Sequence, residues 1–349
     1  MSSRKLAVGL IVAAITLLGT ASAFAATISE GGSTFALPFW QQLASSYNKA
    51  NSGSTVNVNV GASGSGGGRT SLQNETIQIA GSDNVSPAAD AGKYKGGAIQ
   101  HLPIAFGGIT LAYNVPGVPN NIKLTGAIIA NIYLGKIGSW DNKSITKLNP
   151  GVKFPHAQIQ VVHRSGNSGT TAGFTEFLAV SSNQWAQKYG GSVQDLPRWP
   201  VGLPGATNAA VAQLIDKTQN SIGYVEQSYA IATGMKVASV QNAKGVFIKP
   251  TVASVAAAGD GVYAGPSLTI DAINSKAKAA YPITSQTFAI VYKNLCAGAS
   301  ADQAKLTKGF LTYALGSEGQ GQIRKLYYAP LPAKLLTKVQ SAVKALQTC

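Results

Sequence analysis

The segment HRSGNSGTT (residues 163–171) places one arginine before a run of small and hydroxyl-bearing residues. The guanidinium of Arg164 is a planar fork of donors that matches a tetrahedral oxyanion. Small residues allow backbone N–H groups to approach a ligand closely, and serine and threonine hydroxyls add further donors. The segment lacks the Gly-Lys-Ser/Thr ending of a Walker A loop, so its composition favours an oxyanion site of another kind.

Three other segments have a similar composition: GGSTF (31–35), GASGSGGG (61–68) and the end of IQIAGSD (77–83). Taken singly, such runs are turns more often than binding sites, and GASGSGGG alone could be a flexible linker. Each of the four, however, lies between a segment with strand character and a segment with helix character. Because a helix N-terminus leaves N–H groups unpaired and carries partial positive charge, an anion is the natural ligand of such loops.

The flanking segments are typical of alternating strands and helices. TVNVNV (55–60) alternates with its valines on one face, and QIQVVHR (158–164) is a further short strand-like run. Phe174, Phe177 and Leu178 follow the i, i+3, i+4 spacing of a buried helix face. This order predicts an α/β chain with largely parallel sheets, in which ligands bind beyond the carboxyl ends of the strands. We therefore expect the four loops to share one site.

Asp83, at the end of IQIAGSD, differs from the donors around it. A carboxylate only accepts hydrogen bonds, so beside an anion it is tolerated only if the ligand carries a proton. Phosphate keeps at least one proton near neutral pH, whereas sulfate is fully ionised. An aspartate in a pocket of donors therefore predicts selection of phosphate over unprotonated competitors. The residues alone leave open a second interpretation, a helix-start aspartate stabilised by the helix dipole.

The composition is that of an exported, basic, globular chain. Of its 349 residues 45% are hydrophobic and 12% are charged, which suits about two domains with their own cores. Residues 1–25 combine a basic start, an apolar run and small-residue cleavage patterns, so we predict a signal peptide. Its removal takes two of the 28 basic residues and none of the 13 acidic ones, leaving 26 − 13 = +13. The lysines are scattered without interleaved aromatic residues, so no nucleic-acid partner is expected.

Cys296 and Cys349 are the two cysteines of the chain. In an oxidising compartment they could form a disulfide that ties down the C-terminal tail, or they could remain two free thiols. Their spacing fits no metal site, and the three histidines, His101, His156 and His163, lie far from them in the sequence. Neither a metal nor a cofactor is therefore expected.

In this combination of segments the chain resembles the family of periplasmic phosphate-binding proteins, the substrate-binding subunits of phosphate-specific ABC transporters. The resemblance covers essentially the whole chain after the signal peptide. It implies that the protein binds inorganic phosphate in the periplasm, delivers it to the membrane permease of an ABC importer, is a monomer and is not an enzyme. The matching segments are GGSTFALP, GSGGG, GSDNVS, HRSGNSGTT, IYLGKIGSWDN, RWPVGLPG, SIGYVE, YPITSQTF and YYAPLP.

The resemblance also implies roles for individual residues. The loop after the first strand would donate backbone N–H groups from Ser33, Thr34 and Phe35, together with the Thr34 hydroxyl. Asp83 would accept the phosphate proton, and Arg164 would contribute its guanidinium fork. The remaining donors would be Ser65 in the Gly-rich loop and Ser168, Gly169 and Thr170 at the following helix start.

The family fold is a type II periplasmic binding protein, with two α/β lobes, two crossover strands and the ligand in the cleft. Applied to this chain, it places residues 26–105 and 286–349 in lobe 1 and residues 106–285 in lobe 2. The crossings are expected near residues 105–110 and 282–285. The predicted site residues then come from both lobes, so a bound anion would favour a closed form.

One position departs from the family pattern. The family usually has an acidic residue two positions after the arginine, where this chain has Gly166, followed by Asn167. Arg164 is therefore expected to lack a carboxylate partner, with Asn167 as a candidate substitute acceptor. We expect phosphate binding to survive with an altered dependence on pH or salt.

Two other classes of protein remain open at this point. A secreted phosphatase or other hydrolase is disfavoured, because the Ser-rich loops contain no G-x-S-x-G elbow and His163 should point away from Arg164 on its strand. An extracellular adhesin-like protein is the second. A phosphatase would turn over a phosphoester, whereas an adhesin would ignore free phosphate.

Overall fold

The computed structural model describes residues 26–59, 64–191, 193–260 and 268–349. The predicted signal peptide (residues 1–25) and the start of the Gly-rich segment (residues 61–63) lie outside the described residues. Among the residues described, we find no helix with the length and apolar character needed to cross a bilayer.

The described chain alternates short strands with helices, and a 3₁₀ helix covers Ala88–Lys93. The strands are β1 Ala26–Gly32, β2 Ser54–Asn59, β3 Ile79–Ser82, β4 Ile99–Asn114, β5 Lys123–Leu124, β6 Gln160–Arg164, β7 Leu203–Gly205, β8 Ser221–Glu226, β9 Lys236–Val237, β10 Ser239–Gln241, β11 Phe247–Ile248, β12 Thr284–Tyr292 and β13 Ala329–Pro330. The helices are α1 Leu37–Ala50, α2 Ser65–Gln73, α3 Gly126–Tyr133, α4 Lys143–Leu148, α5 Gly169–Ser181, α6 Asn183–Tyr189, α7 Asn208–Lys217, α8 Gln227–Ala232, α9 Val252–Gly259, α10 Ala301–Ala314, α11 Ser317–Lys325 and α12 Ala333–Lys344.

Ten strands form one sheet with the path β2-β1-β3-β12-β4-β8-β6-β7, and β9 and β13 pair with β4 beside that path. The outer strands are parallel, β2–β1–β3 at one end and β8–β6–β7 at the other. The long central strands β12 and β4 are antiparallel to each other and to their outer neighbours. The predicted α/β class is confirmed, with parallel pairing confined to the two outer groups.

The two central strands connect these two groups, because β12 pairs with β3 of one group and β4 pairs with β8 of the other. β4 pairs with β12 up to Gly108 and with β8 from Ile109 onward. The parallel strands of both groups are followed directly by predicted site residues: Ser33 comes after β1, Asp83 comes after β3, and Arg164 ends β6. The sheet therefore brings together loops that lie far apart in the sequence.

Local sequence signals account for the helices next to these loops. Phe174, Phe177 and Leu178 are fully buried on α5, as their spacing predicts. Ser168 starts that helix, because its hydroxyl accepts a hydrogen bond from Thr171 N at 3.2 Å.

Helix α2 begins earlier than the sequence predicts. The run of glycines indicates a loop through residue 68, yet the helix starts at Ser65. The glycines serve close packing here: a Cβ on Gly66 would lie 2.5 Å from Asn167 Cβ, and one on Gly68 would lie 2.6 Å from the Gly31 carbonyl oxygen. Residues 65–68 therefore form the first turn of a helix that packs against the loops at Gly31 and Asn167. The described part of the Gly-rich segment is not a flexible linker.

Cys296 and Cys349 form a disulfide across a sequence separation of 53 residues. Of the two alternatives that the sequence leaves open, the cross-link is the one present. It fastens the segment after α12 to the turn after β12, beside the bridge between Asn294 and Gln347.

Cys349→Ser is expected to lower the free energy of unfolding by about 2–4 kcal/mol, because the open chain regains entropy that the cross-link removes from the unfolded state. Urea unfolding of the dialysed protein measures the loss. The double variant C296S/C349S should be destabilised by the same amount, since both variants lack the same bond. Equal stability of Cys349→Ser and the native protein would contradict the prediction.

Candidate functional site

Asp83 lies directly after β3 and is 5% exposed. Three hydroxyls donate to its carboxylate. Ser33 Oγ and Thr287 Oγ1 lie 2.5 and 2.9 Å from Oδ1, and Ser65 Oγ lies 3.2 Å from Oδ2. Because these donors come from three separate segments of the chain, the carboxylate is held in one orientation as an acceptor.

Burial raises the pKa of Asp83 to about 6, against the opposing effects of its hydroxyl donors and of the charge on Arg164. The carboxyl is therefore mostly ionised at neutral pH and can accept a hydrogen bond from a ligand that carries a proton. It loses that capacity as the pH falls through about 6.

Arg164 is the last residue of β6 and is 1% exposed. Its Nε and Nη2 atoms donate to the Ala206 carbonyl at 3.2 and 2.9 Å. Within the described residues its Nη1 makes no hydrogen bond, and no carboxylate lies within 4.0 Å of the guanidinium. Burial lowers the pKa of Arg164, and the charge of Asp83 opposes that effect. For the part of the chain described, the expected lack of a carboxylate partner is confirmed.

Asn167 does not act as the substitute acceptor for Arg164. Its side chain is exposed, and its backbone carbonyl accepts from Gly66 N at 3.2 Å. The loop after β6 turns Asn167 toward the first turn of α2, so the carbonyl of Ala206 takes the role that the sequence assigned to the asparagine.

The loop after β1 contributes its three predicted residues in different ways. Ser33 N donates to the Gly81 carbonyl at 2.9 Å, so this amide is committed within the protein, contrary to the prediction. The Ser33 hydroxyl holds Asp83 instead. The N–H groups of Thr34 and Phe35 form no hydrogen bond with any residue that the structure describes. They remain donors for a ligand at the start of α1.

The start of α5 approaches the carboxylate from the opposite side. Gly169 N donates to Ser65 Oγ at 3.2 Å. A Cβ on Gly169 would lie 2.5 Å from that oxygen and 2.8 Å from Asp83 Cβ, so the close approach requires glycine. Ser168 caps the helix, and the N–H of Thr170 has no hydrogen-bond partner within the described ranges.

Two buried residues that sequence reasoning missed complete the cluster. Asn208, at the start of α7, donates from Nδ2 to the hydroxyls of Thr34 and Thr170 at 3.2 and 3.0 Å. Thr287, on β12, donates to Asp83. The sequence carried a signal for each: Asn208 follows β7 in another strand–loop–helix segment, and Thr287 lies within YPITSQTF.

The cluster offers the chemistry of anion capture. It combines one cationic fork, amides at two helix starts and one fixed acceptor. The neighbouring His163 takes no part in it, because its ring stacks on Trp199 at 5.1 Å and its Nδ1 contacts the Arg164 carbonyl. The expectation that the histidine points away from the guanidinium is confirmed, and a nucleophile–histidine pair is not formed at this residue.

Two groups of parallel strands joined by long central strands, with a buried polar cluster where their loops meet, define a solute-binding protein of the periplasmic class. A family model for the PBP superfamily domain matches residues 19–318. The chain is 33% identical to the phosphate-binding protein PstS of Xylella fastidiosa (strain 9a5c) over 317 residues, which cover 90% of this chain and 84% of that protein. On these matches, the chain belongs to the PstS family of phosphate-binding proteins.

Solved structures support the same fold. A high affinity periplasmic phosphate-binding protein (PfluDING) bound with phosphate superposes with a TM-score of 0.70 at 20% identity, covering 90% of this chain and 93% of that one. An ABC-type phosphate transport receptor from Vibrio cholerae gives a TM-score of 0.56 at 20% identity, covering 87% and 100%. The predicted type II periplasmic binding protein fold is confirmed.

Proposed function

We propose that this protein binds inorganic phosphate and delivers it to the membrane permease of an ABC phosphate importer. The proposed site is the nine residues predicted from the sequence, of which Ser33 and Ser65 act through their hydroxyls on Asp83 and Gly169 N donates to Ser65. Asn208 and Thr287 orient members of that set. The residues are Ser33, Thr34, Phe35, Ser65, Asp83, Arg164, Ser168, Gly169 and Thr170.

One observation carries the proposal: a buried carboxylate, Asp83, stands among donors beside a buried arginine that has no carboxylate partner in the described chain. Such a site favours an anion that can also donate a proton. Charge-assisted hydrogen bonds contribute roughly 1.5–3 kcal/mol each, so about ten of them would sum well beyond the roughly 8 kcal/mol of a micromolar site. Most of that gain offsets the cost of stripping water from the ligand and ordering the cleft.

Calorimetry on extensively dialysed protein tests this function, with phosphate, arsenate and sulfate titrated separately. We expect tight binding of phosphate, binding of arsenate, and no measurable binding of sulfate at neutral pH. Binding of none of the three would reject the proposed function. Equal binding of phosphate and sulfate would reject the role of Asp83 while leaving anion binding in place.

The proposed lobes close on the ligand. Contacts between residues assigned to lobe 1 and residues assigned to lobe 2 support this: Ser65 meets Gly169, and Arg69 pairs with Asp195 at 3.2 Å. The change in the pairing partner of β4, from β12 up to Gly108 to β8 from Ile109, supports a crossing near residues 105–110. Phosphate would strengthen closure, because donors from both lobes contact the same anion.

Asp195→Asn is expected to weaken phosphate binding about threefold to fivefold, mainly through faster release. Arg69 keeps its bonds to Ser82 and Asn84, so the variant removes only the ion pair between the lobes, which contributes about 1 kcal/mol at a half-buried position. Stopped-flow dissociation measures the effect. Asp90→Asn, which breaks the exposed pair with Lys93 within lobe 1, is the matched control. Equal rates of phosphate release from the two variants would contradict a role of the Arg69–Asp195 ion pair in holding the lobes closed.

The proposed location is the periplasm, after cleavage of residues 1–25. The proposed partners are phosphate and an importer permease, and the protein is proposed to act as a monomer. The relation to PstS proteins and the export-type composition of the N-terminus support this assignment. Size-exclusion chromatography with light scattering tests the monomer, and sequencing of the exported protein's N-terminus tests the cleavage.

A further inference from the structure

Residues 226–229, which we call the seam segment, join lobe 2 to lobe 1 beside the proposed phosphate site. Tyr229 Oη donates to the Thr34 carbonyl at 2.7 Å, and Gln227 Nε2 donates to the Tyr327 carbonyl. The segment therefore contacts the same loop that presents the free N–H groups at the start of α1.

The centre of the seam segment is a cluster of three buried oxygens. Glu226 Oε2, Ser228 Oγ and Tyr328 Oη are all within hydrogen-bond reach of one another, at 3.1 Å from Glu226 to Tyr328 and 3.2 Å from Ser228 to Tyr328. Tyr328 Oη also lies 2.6 Å from the Phe35 carbonyl, which can only accept. The single proton of the tyrosine is therefore used on Phe35.

Counting protons then favours one state of Glu226. The N–H of Ser228 donates to Oε2 at 2.8 Å in either state. With the tyrosine proton committed to Phe35, an ionised Glu226 would leave only the Ser228 hydroxyl proton to serve the three oxygen–oxygen contacts. A protonated Glu226 supplies a second proton and lets it donate to Tyr328 or Ser228. The other carboxyl oxygen, Oε1, is buried and has no hydrogen-bond partner among the described residues. A negative charge there would be uncompensated, so the neutral acid is the form that this geometry accommodates.

We propose that Glu226 is a positioning residue for phosphate capture that acts as a neutral carboxylic acid. Its proton completes the hydrogen bonds through Ser228 and Tyr328 that hold the Phe35 loop of lobe 1 against lobe 2 in the closed form. Loss of that proton opens the seam segment and weakens phosphate binding. This inference rests on the proposed function, since it assigns a regulator to the same site.

The charged and titratable groups around Glu226 agree with this role. Asp83 adds negative charge from the end of β3, and Tyr328 and Tyr229 face the carboxyl from lobe 1 and from α8. Arg164, on β6, acts on Asp83 and Tyr229. Burial, together with the charge of Asp83, raises the pKa of Glu226 to about 8, despite the opposing bonds from Ser228 and Tyr328.

The direction of the pH effect follows from that shift. The closed form binds the Glu226 proton more tightly than an open or unfolded form, in which the carboxyl is hydrated and its pKa is lower. Closure is therefore favoured below about pH 8, and this advantage is lost as the pH rises toward and through that value. Each pH unit between the two pKa values changes the affinity by about tenfold.

The test compares the native protein with Glu226→Gln by calorimetric titration of phosphate at pH 6.5 and pH 9. Gln is isosteric and neutral, and its amide oxygen can keep the bond that Ser228 N donates to Oε2. We expect the native protein to bind phosphate more weakly than the variant already at pH 6.5, because Glu226 of the open form has lost its proton there. The ratio of native to variant affinity should then be at least about tenfold lower at pH 9 than at pH 6.5. The change in phosphate's own ionisation is common to both proteins and cancels in the ratio.

Glu318→Gln, which neutralises an exposed carboxylate on α11, is the matched control and should follow the native profile. Identical pH profiles for the native protein and E226Q would overturn the inference. So would an E226Q variant that fails to fold, because a site built for a neutral acid must accept the amide. Absence of phosphate binding by the native protein at pH 6.5 would instead reject the proposed function.

A readout without phosphate gives an independent check. In thermal unfolding of the ligand-free proteins, the native midpoint should fall relative to that of E226Q as the pH rises from about 5 to 8, because the folded state holds a proton that the unfolded state releases. A constant difference between the two midpoints over this range would also overturn the inference.

Discussion

Asp83→Asn is expected to lower the affinity for phosphate by about 10- to 100-fold and to permit binding of sulfate. The native carboxylate accepts a hydrogen bond from the protonated ligand and repels an anion that has no proton. The asparagine amide can also donate a hydrogen bond to an unprotonated oxygen. Loss of one charge-assisted bond contributes roughly 1.5–3 kcal/mol to this change. Calorimetry with both anions at neutral pH gives the ratio of affinities, which should fall by two orders of magnitude or more.

The control for this variant removes a bond to the carboxylate but keeps the carboxylate itself. Thr287→Val deletes the hydroxyl that lies 2.9 Å from Asp83 Oδ1 and approximately keeps the side-chain shape. We expect modestly weaker phosphate binding and no binding of sulfate. If Asp83→Asn kept the native preference for phosphate, the acceptor would not be the source of selectivity.

Arg164→Ala is expected to produce the largest loss, about a thousandfold in phosphate affinity. The substitution removes a buried charge and the Nη1 donors, which have no partner within the described residues, and it leaves the Ala206 carbonyl without its partner. Breaking a buried charge interaction in this way contributes about 3–5 kcal/mol. The pKa of Asp83 should rise further, because the charge of Arg164 holds it down in the native protein. Calorimetry and a pH titration of the variant measure both effects.

Two variants separate charge from geometry at this position. Arg164→Lys keeps the charge without the planar fork and should recover only part of the lost affinity. Gly166→Asp restores the carboxylate that the family usually has, and should weaken the dependence of phosphate affinity on ionic strength. If phosphate affinity depended on ionic strength identically in Gly166→Asp and in the native protein, the missing carboxylate partner of Arg164 would have no effect on binding. Native affinity in Arg164→Ala would place the anion elsewhere.

Much of the fold could be read from short-range patterns. Alternating valines predict β2, and the spacing of Phe174, Phe177 and Leu178 predicts the buried face of α5. These signals succeed because strand alternation, helix periodicity and capping depend on residues within a few positions of one another. Where packing decides the outcome, the prediction fails. Helix α2 begins inside the glycine run because neighbouring loops press against Gly66 and Gly68.

The choice of candidate site residues likewise used local information, but which hydrogen bonds those residues make could not be predicted from it. Ser33 N donates to the Gly81 carbonyl, and Arg164 donates to the Ala206 carbonyl and not to Asn167. No sequence pattern reports which of several nearby acceptors a donor will reach, because sub-ångström packing of the loops decides it.

By itself, the sequence determined which chemical groups are available: a strand-end arginine, an aspartate among small residues, and hydroxyls and amides at helix starts. Only the tertiary structure decided which of them meet. Thr287 reaches Asp83 across 204 residues, because β12 returns to lie beside β3 in the sheet. The pairing of Cys296 with Cys349 and the contact between Tyr328 and Glu226 arise in the same way. Contacts between distant segments depend on strand order and register, which are set by the free energy of the whole fold and not by any one segment.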